Sequence, residues 1–206
     1  MNKIILICLL LLSACGAHKS QYAVIPAGST VLVLGDSLSY GTGANKGEDY
    51  PALLATRSGW HIVNEGVPGD TTAGGLARLP QLLEQHKPTL IIVALGGNDF
   101  LQQLPITETS ANLKAILAQS KAQSVIAVMV ATPEFNQVKA AFGNLTDHPL
   151  YKEIADESAT PLIANVFSKV LSDNKLKSDQ VHPNAKGYEV VSELLAEKLK
   201  DLGFLR

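Results

Sequence analysis

The chain has 206 residues, 46% of them hydrophobic, with 17 Lys and Arg against 19 Asp and Glu, a formal net charge of −2 and two cysteines. That length suits one sizeable α/β or all-β domain better than two, and a slightly acidic chain without a basic cluster lacks the electrostatic footprint of a nucleic-acid binder. Two cysteines are too few for a disulfide scaffold and do not form the paired clusters of a structural zinc site.

At the start, Lys3 precedes an unbroken apolar run over 4–12. The run has the length of a signal-peptide core and is too short to span a bilayer. Leu12-Ser13-Ala14-Cys15-Gly16 then resembles the bacterial lipobox, where a thiol stands at the first mature position because the lipid is attached through a thioether. On this reading 1–14 is a lipoprotein signal peptide, Cys15 carries the lipid and Cys8 is discarded. Several fatty chains such as palmitate on Cys15, at roughly 0.8 kcal/mol per buried CH₂, hold a protein on a membrane almost irreversibly. Gly16, in place of the Asp associated with inner-membrane retention, predicts export to the outer membrane, facing the periplasm in a Gram-negative cell. The alternative is an ordinary export signal with an incidental cysteine. Residues 15–29, small and polar, are expected to form the lipidated end and a tether, with one domain over 30–206.

Short β-branched runs then alternate with longer amphipathic stretches. Strands are predicted over 30–35, 61–64, 89–95, 124–131 and 160–164, with helices over 49–58, 72–86, 108–121, 148–158 and 184–201. The third and fourth strands are almost continuously apolar, as parallel strands are when helices cover both faces. Five strands with intervening crossovers predict a three-layer α/β/α sandwich. Pro88 stops the helix before it, and Pro183 predicts a helix entry with His182 at its mouth.

In such a sheet ligands bind beyond the carboxyl ends of the strands. The first strand runs into Gly35-Asp36-Ser37-Leu38, the second into the segment ending Pro68-Gly69-Asp70-Thr71, and the third into Gly96-Gly97-Asn98-Asp99. Asp179-Gln180-Val181-His182 precedes the last helix. Together these residues can perform nucleophilic acyl transfer. Ser37 is the candidate nucleophile, His182 its base, and Asp179, three residues away, the group that fixes the imidazole tautomer. The N–H groups of Ser37 and Gly69 and the Asn98 amide are candidate oxyanion donors. Asp36, Asp70 and Asp99 are assigned mainly to hydrogen bonding within the turns. Asp147-His148 is the one rival acid–base pair. No metal or cofactor is expected, since there is no second histidine at ligand spacing from His182 and no dinucleotide fingerprint after the first strand.

The ordered set GDSL at 35–38, Gly69 in PGDT, GGND at 96–99 and DQVH at 179–182 resembles the SGNH (GDSL) hydrolase family, over about residues 30–200. The resemblance is nearest to the bacterial thioesterase/lysophospholipase group, also called arylesterases. It implies a flavodoxin-like fold and assigns Ser37, Gly69, Asn98, Asp179 and His182 to the roles above. Gly69 is preferred over the competing Gly66 because the family's glycine precedes the Asp-Thr pair. The implied substrates are carboxylic esters and thioesters. Export favours lysophospholipids or other acyl esters of the envelope over cytoplasmic acyl-CoA. The alternatives are an O-acetyl esterase of envelope polysaccharide or peptidoglycan and a catalytically silent binding lipoprotein. The 133–148 segment is expected to flank the substrate.

Overall fold

A computed structural model describes residues 22–134 and 143–206. Within them β1 (Thr30–Gly35), β2 (His61–Gly66), β3 (Leu90–Ala94), β4 (Ile126–Val130) and β5 (Leu162–Ile163) form one parallel sheet in the order β2-β1-β3-β4-β5. The helices are α1 (Ser37–Tyr40), α2 (Tyr50–Ser58), α3 (Thr72–His86), α4 (Gly97–Leu101), α5 (Ile106–Ala122), α6 (Leu150–Ser158), α7 (Phe167–Ser172) and α8 (Ala185–Leu202).

Alternate strand residues point to opposite faces, and the two faces bury separate cores. Val31, Val33, Ile92, Val128 and Val130 pack with Tyr50 of α2, Phe167 of α7 and Leu195 of α8. Leu32, Leu34, Ile91, Val93 and Met129 pack with Leu79 of α3, Ile116 of α5 and Ile154 of α6. This double burial is why the central strands read as continuous apolar runs, and it gives the expected three-layer α/β/α sandwich. The chain leaves β1 toward β2 and returns on the other side as β3, so a crevice opens at their carboxyl ends.

Several boundaries differ from the sequence reading. β2 continues two residues further, to Gly66, and β5 is only two residues long. The short helices α1, α4 and α7 were not expected, because four to six residues cannot display a 3.6-residue period. The last helix starts at Ala185, one residue after the predicted 184, so Pro183 stands before its cap. Asn184 caps it, its side-chain oxygen accepting the Gly187 N–H at 2.9 Å.

The largest correction concerns the tether. The signal segment, Cys15 and residues 16–21 lie outside the described residues, but 22–29 belong to the domain. Ile25 is buried, its N–H donates to the Phe204 carbonyl at 2.8 Å, and its carbonyl accepts the Trp60 indole N–H at 3.0 Å. Tyr22 stacks on Phe204 with ring centroids 4.6 Å apart. Tyr22-Ala23-Val24-Ile25 is an apolar stretch of only four residues ended by Pro26, too short to show a period among the small and polar residues around it, so the segment reads as linker. No helix among the described residues is long and apolar enough to cross a membrane.

Candidate active site

Ser37 follows β1 after the single residue Asp36 and is the first residue of α1. The turn is held by Asp36, whose carboxylate caps α1 by accepting the Leu38 N–H at 2.9 Å. Asp36 is almost fully buried, and that burial pushes its carboxyl up to about 7. The Leu38 N–H opposes the shift, and the neighbouring Asp70 and Asp99 charges reinforce it. At neutral pH the group thus stands near its midpoint, and it puts less fixed negative charge beside the nucleophile than an ordinary carboxylate would.

The base arrives from far along the chain. His182 Nε2 lies 2.9 Å from Ser37 Oγ, and His182 Nδ1 lies 2.8 Å from Asp179 Oδ2. The carboxylate can only accept, so Nδ1 carries the proton and Nε2 is left to accept from the serine hydroxyl. Asp179 Oδ1 accepts two more bonds, from the Val181 and His182 N–H groups, each at 2.8 Å. Partial burial pushes the Asp179 carboxyl up, but the His182 ring and these two N–H donors outweigh it and hold the group below its ordinary range. The three-residue spacing that suggested the pair works through this tight turn. Asn184 secures the turn from behind, its amide donating to the Lys175 and Lys177 carbonyls at 2.9 and 3.1 Å.

The two glycines in contention for the oxyanion site have different environments. The Gly66 N–H donates to Asn64 Oδ1 at 3.0 Å, and a Cβ there would stand 2.3 Å from the Tyr40 nitrogen. Gly66 is therefore committed to close approach of backbones. Gly69 sits at φ +79° with open space beside it and lines the cavity that Ser37, Asn98 and His182 also line. Among the described residues, neither the Gly69 nor the Ser37 N–H has an acceptor. Asn98, at the start of α4, donates one amide hydrogen to the Asp70 carbonyl at 2.9 Å and reaches Asp36 Oδ2 at 3.3 Å. The second bond is long, so an incoming oxyanion can displace it. Asp99, beside it, is buried and accepts from the Thr72 N–H at 2.9 Å, from the Thr72 hydroxyl and from the Thr109 hydroxyl, joining α3, α4 and α5.

Sequence reasoning missed Arg78. Its Nε donates to Asp70 Oδ2 at 2.9 Å and its Nη2 to the Gly35 carbonyl at 3.0 Å, while Nη1 stands 3.8 Å from Glu65. One guanidinium therefore joins the turn before Ser37 to the turn that presents Gly69 and holds Asn98. The available signal was its place beside Gly75, Leu79 and Leu82 on the buried face of α3, where an unpaired cation would be costly. Arg78→Ala is expected to lower kcat about 10- to 100-fold by letting the donors drift, with KM changed far less. Arg78→Lys should recover only part, since an ammonium cannot reproduce the planar fork. Steady-state kinetics on an aryl ester, with melting curves to separate unfolding from misplacement, decide it.

A cavity of about 260 Å³ adjoins these groups, with Leu101, Pro133, Leu145, Leu171 and Val181 among its apolar walls. Pro133 and Leu145 come from the two ends of the 133–148 segment, which an antiparallel bridge between Pro133 and Asp147 pins together. Residues 135–142 between them lie outside the described residues. Asp147 and His148 do not form an acid–base pair. Asp147 Oδ2 accepts the Asn165 N–H at 2.6 Å, whereas the His148 ring stacks on Phe100 at 4.1 Å and accepts the Leu150 N–H. No cluster of three or more metal-ligating side chains occurs among the described residues.

Comparison with known proteins places this geometry among relatives. The model of the GDSL-like Lipase/Acylhydrolase family matches residues 33–190. The chain is 35% identical over 184 residues to the thioesterase 1/protease 1/lysophospholipase L1 of Escherichia coli (strain K12), covering 85% of this chain and 86% of that protein. It is 30% identical over 183 residues to the arylesterase of Vibrio mimicus, covering 86% and 91%. The psychrotrophic esterase EstA from Pseudoalteromonas sp., solved with monoethylphosphonate as inhibitor, superposes at a TM-score of 0.72 and 26% identity, covering 84% of this chain and 97% of that one.

Proposed function

We propose, on the premise that the chain belongs to the GDSL-like lipase/acylhydrolase (SGNH) family and is a carboxylic ester hydrolase of the esterase, thioesterase and lysophospholipase type, that it works through a Ser37–His182–Asp179 triad. The observation that carries this reading is the unbroken hydrogen-bonded line from Asp179 through His182 to Ser37, ending at the cavity. Ser37 Oγ attacks the ester carbonyl as its proton passes to His182 Nε2, and Asp179 stabilises the imidazolium. The charge on the tetrahedral intermediate falls on the N–H groups of Ser37 and Gly69 and on the Asn98 amide, each such donor contributing roughly 3–4 kcal/mol to the transition state. His182 then protonates the departing alcohol or thiol, and a water attacking the acyl-Ser37 ester repeats the steps in reverse order.

The apolar walls suit an acyl chain, and the apolar N-terminal run ending in a lipobox-like Leu12-Ser13-Ala14-Cys15 supports a place in the cell envelope. The chain reads as a lipoprotein anchored through Cys15, in the outer membrane where the cell has one, acting on lysophospholipids or related acyl esters. The test is a profile of the purified protein over aryl esters of increasing acyl length, a lysophospholipid and an O-acetylated glycan. Rates should rise with acyl length beyond acetate, with fatty acid released from the lysophospholipid. Acetate released from the glycan, with no turnover of longer acyl groups, would replace this reading by polysaccharide deacetylation.

A further inference from the structure

The chain enters the domain at one end of the sheet, and the cavity opens at the other. On entry Ile25 is fastened to Phe204 and Trp60, and the Gly28 N–H donates to the Gly59 carbonyl at 2.8 Å. The Ser29 carbonyl accepts the His61 N–H at 2.9 Å. Apart from Phe204, which follows α8, the residues in these contacts lie just before β1 and β2 or at their first residues. Ser37, Gly69 and Asn98 stand instead beyond the carboxyl ends of β1, β2 and β3. β1, with six residues, separates the two ends by about 20 Å. A domain of this length is roughly 40 Å across. Cys15 to Gln21 is a run of seven residues, which reaches about 25 Å even when fully extended. A lipid at Cys15 therefore cannot be joined to a domain whose cavity is pressed onto the same membrane. Freeing 22–29 would give the missing length, but only by exposing Ile25 and breaking the bonds that hold it.

We infer that the anchored enzyme turns its active site away from the membrane that holds it, and that its substrates are acyl esters arriving through water rather than lipids of the anchoring leaflet. This rests on the anchor at Cys15 proposed above and deepens that reading. The sequence pattern that makes the chain a membrane protein thus restricts which lipids it can attack. A short docked entry acts as a spacer of fixed direction.

The test reconstitutes the full-length lipidated protein in phosphatidylethanolamine/phosphatidylglycerol vesicles with two substrates. One is a water-soluble aryl ester. The other is a fluorogenic ester on a two-chain lipid that does not leave its vesicle, chosen because the unanchored Cys15→Ser protein hydrolyses it. A variant with about 20 Gly/Ser residues inserted between Gln21 and Tyr22 gains enough reach to fold back. The soluble ester should be turned over equally by both forms. The embedded ester should be turned over about tenfold or more faster by the insertion variant, because a linker too short to span two sites gives an effective concentration near zero. Equal rates on the embedded ester would overturn the inference. Failure of the wild-type protein to float with vesicles, or to differ in this from Cys15→Ser, would overturn the anchor and the inference with it.

Discussion

Ser37→Ala is expected to lower kcat/KM on an aryl ester by about 10⁴- to 10⁶-fold. The Ser37 hydroxyl is bound to His182 Nε2, and removing it takes away the atom that forms the acyl bond while leaving the remaining oxyanion donors in place. The side chain is only half-buried, so little packing is lost and Tm should stay near wild type. Rates with the aryl ester and labelling by a fluorophosphonate probe measure the same thing in two ways. Both should vanish together, because only an activated serine reacts with the probe. A variant that keeps a wild-type rate would sink the triad and leave the general ester-hydrolase assignment standing.

Asp179→Asn should cost about 10³-fold in kcat, less than removal of the nucleophile or of the base His182. An asparagine in the same rotamer keeps the two backbone bonds to Val181 and His182, so the turn survives. It offers an NH₂ to His182 Nδ1 where Asp179 offered an acceptor at 2.8 Å. The imidazole then carries its proton on Nε2, and that nitrogen cannot accept from Ser37. The carboxylate side chain is 53% exposed, which weakens its field on the imidazolium and sets the expectation below that for a buried triad acid. Because hydrogen bonds hold the wild-type carboxyl below its ordinary range, Asp179 stays ionised down through the usual carboxylate region. The deficit should therefore persist across the neutral and mildly acidic range. Single-turnover rates for wild type and variant from acid to neutral pH check this, and a deficit that disappears in that range would remove Asp179 from its role.

Much of the fold was legible because it rests on local signals. β1 was read to the residue, since TVLVLG ends in a glycine turn, and α3 stops at His86 before Pro88 as expected. Legibility failed where few residues carry the decision. β5 is a two-residue strand, α4 has five residues, and the docking of 22–29 hangs on Ile25 and a stacked Tyr22. The site shows the same division. The four polar segments that follow the strands or precede the last helix stood out by composition, whereas Arg78 did not, because its partners at Asp70 and Gly35 are 8 and 43 residues away.

By itself the sequence determined the five-stranded α/β plan and the residue types at each strand end, because hydrophobic period and glycine punctuation act over a few residues. Only the tertiary structure brought His182 within 2.9 Å of a serine 145 residues earlier, committed Gly66 to backbone packing while leaving Gly69 open, and moved the start of the domain back to Tyr22. Those outcomes depend on which strands lie side by side and on what the chain end meets when the sheet closes. Such contacts form between segments far apart in the chain, and local composition holds no record of them.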